Sequence, residues 1–228
     1  MQLNDTKIAK KAAGTAAAAL IERDMLVGIG TGSTVYWFIQ ALGERCRKGL
    51  KIKAVATSEK SLAQALQEGI EMIEINTVSY LDLVVDGADE IDQDKNMIKG
   101  GGGALLREKI LANIAHEMIV LVDQSKLVNH LGAFPLPVEI VPFAHQITIQ
   151  QLGLVGYQGT LRLNEKKEYY VTDNGNYILD VKLSQKCTDP AFENDLISAV
   201  PGVVETGFFI GVAGRLIVGY QDGHIEIK

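Results

Sequence analysis

The chain has 228 residues, 47% of them hydrophobic and 22% charged, which is more apolar material than one small core consumes and unlike the composition of a disordered chain. A net charge of −6 with no long basic block disfavours a nucleic-acid partner, because phosphate-backbone binding needs clustered cations. Cys46 and Cys187 lie far apart and match no metal-ligand spacing, so they read as reduced thiols, which favours a cytoplasmic setting.

In chain order, Lys7, Lys10 and Lys11 precede an apolar run at 16–21 in loose imitation of a secretory signal. That run is mostly alanine and is closed by Glu22, Arg23 and Asp24, so an alanine-rich packed helix is the better reading. No apolar stretch is long enough to span a membrane. Residues 25–30 (MLVGIG) then read as a strand, 35–48 as a helix, 52–57 as a strand, 61–68 as a helix, and 70–75 and 81–85 as strands. Helical spacing returns at 104–115, before an apolar strand at 118–122. Near-continuous apolar strands alternating with helices are what a parallel sheet buried on both faces requires.

The pattern changes near Gly132, where the Phe134-Pro135-Leu136-Pro137 punctuation begins a β-rich stretch. Strands are expected at 137–142, 160–163, 169–172 and 177–181, and a helix at 146–155, with Asp173-Asn174-Gly175-Asn176 supplying turn chemistry. A helix at 190–200 has Asp189 as its N-cap and Pro190 at its first position. Residues 208–212 and 215–219 are apolar again and are expected to return to the first sheet. The domains expected are an α/β unit of 1–131 plus 207–228 and a smaller α+β unit of 132–206.

Ligands of an open parallel sheet bind outside the carboxyl ends of its strands, which directs attention to three loops. The first is Gly28-Ile29-Gly30-Thr31-Gly32-Ser33-Thr34, between a strand and a helix. Its glycines allow close approach of the backbone to an anion, and its hydroxyls add donors, so a phosphate is the natural guest. It lacks the Lys of a nucleotide triphosphatase loop, and Ser33 replaces the last glycine of the dinucleotide fingerprint. The bland alternative is a tight turn that binds nothing.

The second loop, Asp86-Gly87-Ala88-Asp89-Glu90-Ile91-Asp92, carries four carboxylates in seven residues. A solvated acidic loop or a divalent-metal site are its plain readings, yet the EF-hand pattern is absent and no His accompanies it. Its place at a strand's carboxyl end favours Asp86 as a functional carboxylate. In the third loop, Lys99-Gly100-Gly101-Gly102-Gly103 runs into a helix. Four successive glycines are entropically costly, and against a flexible linker we favour a backbone nest presenting amides to an oxyanion, with Lys99 beside it.

On a wheel of about 100° per residue, Leu106, Ile110, Ile114 and Met118 gather on one side, while Glu108 falls among Ala104, Ala112 and Ala115. A carboxylate near the positive end of a helix and walled by alanines is a credible general base. The same wheel puts Arg107 near the apolar side, for which only a long stem reaching a partner accounts.

Taken together, GIGTGST (28–34), DGADEID (86–92), KGGGGALLREK (99–109) and DQSK (123–126) closely resemble the metal-independent ribose-5-phosphate isomerase A family in order, spacing and total length. The resemblance implies a Rossmann-like α/β domain with an inserted smaller α+β domain, a homodimer or higher homo-oligomer, and no cofactor or metal. It implies interconversion of D-ribose 5-phosphate and D-ribulose 5-phosphate through an enediol, in the non-oxidative pentose phosphate pathway. Carried over by motif, Glu108 is the base, with Asp86 and Lys99 as further catalytic groups. Thr31, Gly32, Ser33, Thr34, Asp86, Gly87, Ala88, Asp89, Lys99, Gly100, Gly101, Gly102 and Lys126 are the implied substrate-binding residues, and Lys10 a further phosphate contact. Two alternatives stay open: a non-catalytic sugar-phosphate sensor, although no helix-turn-helix partner precedes residue 25, and an acyl-CoA transferase-like enzyme using a glutamate nucleophile.

Overall fold

The computed structural model describes residues 2–183 and 187–228, which divide into two compact units. One comprises 1–88, 107–127 and 212–228; the other comprises 89–106 and 128–211. The second unit therefore begins well before the expected 132, taking in the segment 89–106, and extends past the expected 206 to 211.

The first unit starts with α1 (Gln2–Ala19), followed by β1 (Leu26–Ile29), α2 (Ser33–Arg47), β2 (Lys53–Ala56), α3 (Glu59–Gln67) and β3 (Leu81–Gly87). Ala9, Ala13, Ala17 and Ala18 of α1 are fully buried. Their small side chains let the helix lie close against its neighbours, which explains its alanine content. The expected strand at 70–75 is corrected: only an isolated bridge between Ala54 and Met72 forms, followed by a 3-10 turn at Ile75–Thr77. Four apolar residues interrupted by Glu71 and Glu74 cannot tell a strand from a short packed connection.

Two strands of the second unit come next, β4 (Glu90–Ile91) and β5 (Met97–Ile98), then α4 (Leu105–Ile114) and β6 (Ala115–Asp123). The helix passes into β6 without a breaker residue, so Met118 is a buried strand residue and has no place on the α4 wheel. The wheel's grouping of Glu108 with Ala104 and Ala112 matches the structure, where all three are buried. Leu105, Glu108, Leu111 and Ala112 form the buried face, and Ile110 is half-exposed.

The second unit continues with β7 (Leu136–Ile140), α5 (His145–Leu154), β8 (Gln158–Leu161), β9 (Tyr177–Lys182), α6 (Pro190–Ser198), β10 (Val203–Thr206) and β11 (Phe208–Phe209). Asp189 caps α6 by accepting from the Phe192 amide, as its sequence position predicts. The expected strand at 169–172 reduces to isolated bridges, Leu163 with Tyr169 and Val171 with Tyr177. The chain closes with β12 (Ala213–Gly219) and β13 (Ile225–Ile227).

In the first unit the strands follow the order β13-β12-β6-β3-β1-β2, parallel except for the antiparallel pair β12 and β13. Register aligns Ile29 with Val85 and with Ala56, and Asp86 with Val120, so the ends of β1, β2, β3 and β6 line one edge. In the second unit β10-β7-β9-β8 make an antiparallel sheet and β11-β5-β4 a three-stranded one. Residues 208–209 thus pair with β5 instead of returning to the first sheet; β12 alone makes that return, beside β6. Among the described residues no helix is long and apolar enough to cross a membrane.

Candidate active site

At the carboxyl edge of the first unit, Gly30 and Asp86 determine each other's place. A Cβ built on Gly30 would lie 2.1 Å from Asp86 Cγ, so only glycine lets the carboxylate tuck under the loop. Asp86 is fully buried, and its Oδ1 accepts from the Thr31 amide at 3.0 Å and the Gly87 amide at 2.7 Å. Buried amide bonds of this kind hold a carboxylate in one orientation.

Above it, Gly32 opens α2 with no side-chain cap and no acid in the first turn, leaving Ser33 and Thr34 at a positive helix end. Lys10 reaches this point from α1: its Nζ donates to Ser33 Oγ at 2.9 Å and stands 4.0 Å from Asp123 Oδ2. Asp123 ends β6 and accepts from the Ser125 amide at 3.0 Å, which shapes the 3-10 turn that carries Lys126. Helix amides, hydroxyls and an ammonium are the parts of a phosphate cradle.

A hydroxyl cluster that composition and spacing did not reveal supports this loop. Thr31 Oγ1 meets Thr57 Oγ1 at 2.8 Å and Ser58 Oγ at 2.7 Å, and Ser61 Oγ donates to the Gly30 carbonyl at 2.7 Å. Thr57, Ser58 and Ser61 are buried at the join of β2 and α3, where Ser58 also caps the helix. The one available signal was the Thr57-Ser58 pair directly after a strand. Arg107 also finds its partner there: its Nη1 lies 3.1 Å from Glu59 Oε1.

Glu108 sits in the first turn of α4, buried at 3% exposure. A carboxylate at that place is within reach of a carbon-bound proton on a substrate seated at the strand ends, which is the geometric requirement for a general base.

In the second unit the other three carboxylates of the acidic loop have separate tasks. Asp89 Oδ2 accepts from the Gly101 amide at 2.7 Å. Glu90 receives the amides of Gly132 and Phe134 at 2.7 and 2.6 Å, and Asp92 that of Asn96 at 2.8 Å. Among the described residues no three His, Cys, Asp or Glu are placed to hold a metal ion. Lys99 is 2% exposed, its amide bonds the Gly207 carbonyl at 2.9 Å, and its Nζ lies 5.2 Å from the centre of the Phe209 ring. A cation over an aromatic face is attracted by the ring quadrupole, which helps to fix the side chain. Beyond Lys99, the Gly103 amide closes a turn onto the Gly100 carbonyl at 2.9 Å.

Neither cysteine is activated. Burial pushes the Cys46 thiol up and the Cys187 thiol up to about 11, so both stay protonated at neutral pH.

Comparison with known proteins is consistent over nearly the whole chain. The family profile described as Ribose 5-phosphate isomerase A (phosphoriboisomerase A) matches residues 53–223. The chain is 49% identical to "Ribose-5-phosphate isomerase A" of Protochlamydia amoebophila, over 99% of this chain and 98% of that one. It superposes with a TM-score of 0.90 and 37% identity on ribose 5-phosphate isomerase A from Methanocaldococcus jannaschii, covering 96% of this chain and 97% of that one. A D-ribose-5-phosphate isomerase solved in complex with phospho-erythronic acid gives a TM-score of 0.91 and 38% identity, at 96% and 97% coverage.

Proposed function

The chain belongs to the ribose 5-phosphate isomerase A family, and from that premise we propose how its residues divide the work of interconverting D-ribose 5-phosphate and D-ribulose 5-phosphate. It is an aldose-ketose isomerase. The reaction moves a proton between C2 and C1 through an enediol, so one base on one face can remove and return it. The observation that carries the assignment is the buried Glu108 carboxylate in the first turn of α4.

Glu108 takes the proton from C2 and delivers it to C1. Lys99 and the Gly102 amide donate to the oxygen on which charge develops, where donors fixed in advance are worth most. Gly100 and Gly101 shape the run that presents them, the Gly101 amide being held by Asp89. Asp86, held by the Thr31 and Gly87 amides, opens the ring form or shuttles the hydroxyl proton. Ser33, Thr34, Lys126 and Lys10 anchor the phosphate, converting remote binding energy into orientation of the reacting carbons. Thr31, Gly32, Gly87, Ala88 and Asp89 complete the contacts to the sugar. None of these steps calls for a redox cofactor or a metal.

We place the enzyme in the cytoplasm as a homodimer or higher homo-oligomer; the protonated thiols are compatible with a reducing compartment, and sedimentation measures the assembly. The net charge of −6 argues against nucleic acid while leaving room for a small anion met by a few local cations.

The direct test is incubation with ribose 5-phosphate and detection of the ketose product, with and without EDTA. Product should form equally in both, and phospho-erythronic acid, the ligand of a solved relative, should compete with substrate. No ketose, or ketose abolished by the chelator, would overturn the assignment.

A further inference from the structure

The carbonyls of the glycine run in the second unit are captured one after another by side chains some sixty residues downstream. Arg162 Nη1 donates to the Gly100 carbonyl at 2.9 Å and the Gly101 carbonyl at 3.2 Å. The Tyr170 hydroxyl donates to the Gly102 carbonyl at 3.3 Å. Both residues are themselves fixed. Arg162 follows β8 with its amide on the Ile178 carbonyl, which puts its side chain on the same face of the sheet as Asp180. Its Nε and Nη2 form a two-pronged pair with that carboxylate, and its guanidinium lies 5.9 Å from the centre of the Tyr170 ring. The turn after Tyr170 is pinned by the fully buried Glu139, whose Oε1 accepts from Thr172 at 3.0 Å, Asn174 at 3.1 Å and Asn176 at 2.9 Å.

A trans peptide points its N–H opposite to its C=O, so a captured carbonyl fixes the direction of the next residue's amide. The Gly101 amide is bound to Asp89 and the Gly103 amide to the Gly100 carbonyl. Gly100 is buried, so the exposed amide left to face a ligand is that of Gly102, and its direction is set by the Gly101 carbonyl that Arg162 holds. Gly101 and Gly102 are solvent-exposed, so this is a rigidified backbone with an open side. Gly103 closes the arrangement: at φ +77 a Cβ there would meet the Tyr170 hydroxyl at 2.4 Å.

We propose that Arg162, locked by Asp180, is a positioning residue that aims the Gly102 amide at the substrate oxygen on which charge develops. The proposal rests on the isomerase reading above. Donors of this kind act mainly in the transition state, so losing the aim should lower kcat more than it raises KM.

The test compares wild type, Arg162→Met, Arg162→Lys and Asp180→Asn in steady-state kinetics with ribose 5-phosphate and in hydrogen exchange over residues 100–103. Arg162→Met should lower kcat by about 10- to 100-fold with KM within about threefold, since removing such a donor outright costs about 10²- to 10³-fold. Exchange at 100–103 should quicken. Arg162→Lys should recover only part of kcat, because one ammonium cannot serve a carboxylate fork and two carbonyls together. Unchanged kcat, a change confined to KM, or unchanged exchange at 100–103 would overturn the proposal. If Arg162→Met does not fold, Asp180→Asn decides, with a loss of roughly 3- to 10-fold in kcat expected and none contradicting the role. A wild type inactive on ribose 5-phosphate would refute the isomerase reading, and the exchange data would still show whether Arg162 orders the run.

Discussion

The two glycine-rich loops, 28–34 and 99–103, free their amides by different means. In the first, Gly30 yields space to the Asp86 carboxylate, and the start of α2 exposes amides because helix geometry leaves them without partners. In the second there is no helix turn across the glycines themselves; Arg162 and Tyr170 capture the carbonyls instead. The first loop is built by its own strand and helix and by hydroxyls at the end of the neighbouring strand. The second depends on side chains about sixty residues away. A glycine motif therefore marks where a backbone can approach a ligand, and what holds it there has to be found elsewhere.

Substitutions can break this comparison at graded cost. The largest effect belongs to a residue in neither loop. Glu108→Gln should keep the fold and substrate binding and lower turnover by about 10²- to 10⁴-fold in a coupled assay, the range for a general base. Lys99→Ala comes next, with a fall of about 10²-fold in kcat and a smaller change in phosphate affinity. A change confined to KM would move Lys99 to the anchoring side. Gly30→Ala forces a Cβ onto Asp86, so it should cost about 1–3 kcal/mol of stability in chemical denaturation and reduce activity through the displaced carboxylate. Ser61→Ala removes the donor to the Gly30 carbonyl and should cost only about 1 kcal/mol, with a modest rise in KM.

Much of the first unit was legible in the sequence because its central strands are apolar and alternate regularly with helices, and because Gly-rich and acidic loops sit directly at strand ends. Asp189 and Pro190 likewise announced the start of α6. What escaped was structure without a period. Strands β4, β5 and β11 have two residues each, too short for any pattern, yet they help carry 89–106 into the second unit. The α4 wheel grouped Glu108 with Ala112, and both are buried, whereas the larger Ile110 is half-exposed, so side-chain size by itself does not report burial. The candidate site was legible as a set of motifs. Its supports, Thr57, Ser58 and Ser61 around the first loop and Arg162, Tyr170 and Asp180 around the second, are ordinary polar residues whose meaning depends on the fold.

The central claim is that one carboxylate, Glu108, carries the proton between C2 and C1. It is tested most directly by running the isomerisation in deuterium oxide and following the carbon-bound label by NMR in wild type and Glu108→Gln. Wild type should place deuterium at C1 or C2, and Glu108→Gln should do so at a rate lower by about 10²- to 10⁴-fold. Incorporation by Glu108→Gln at the wild-type rate would contradict the claim.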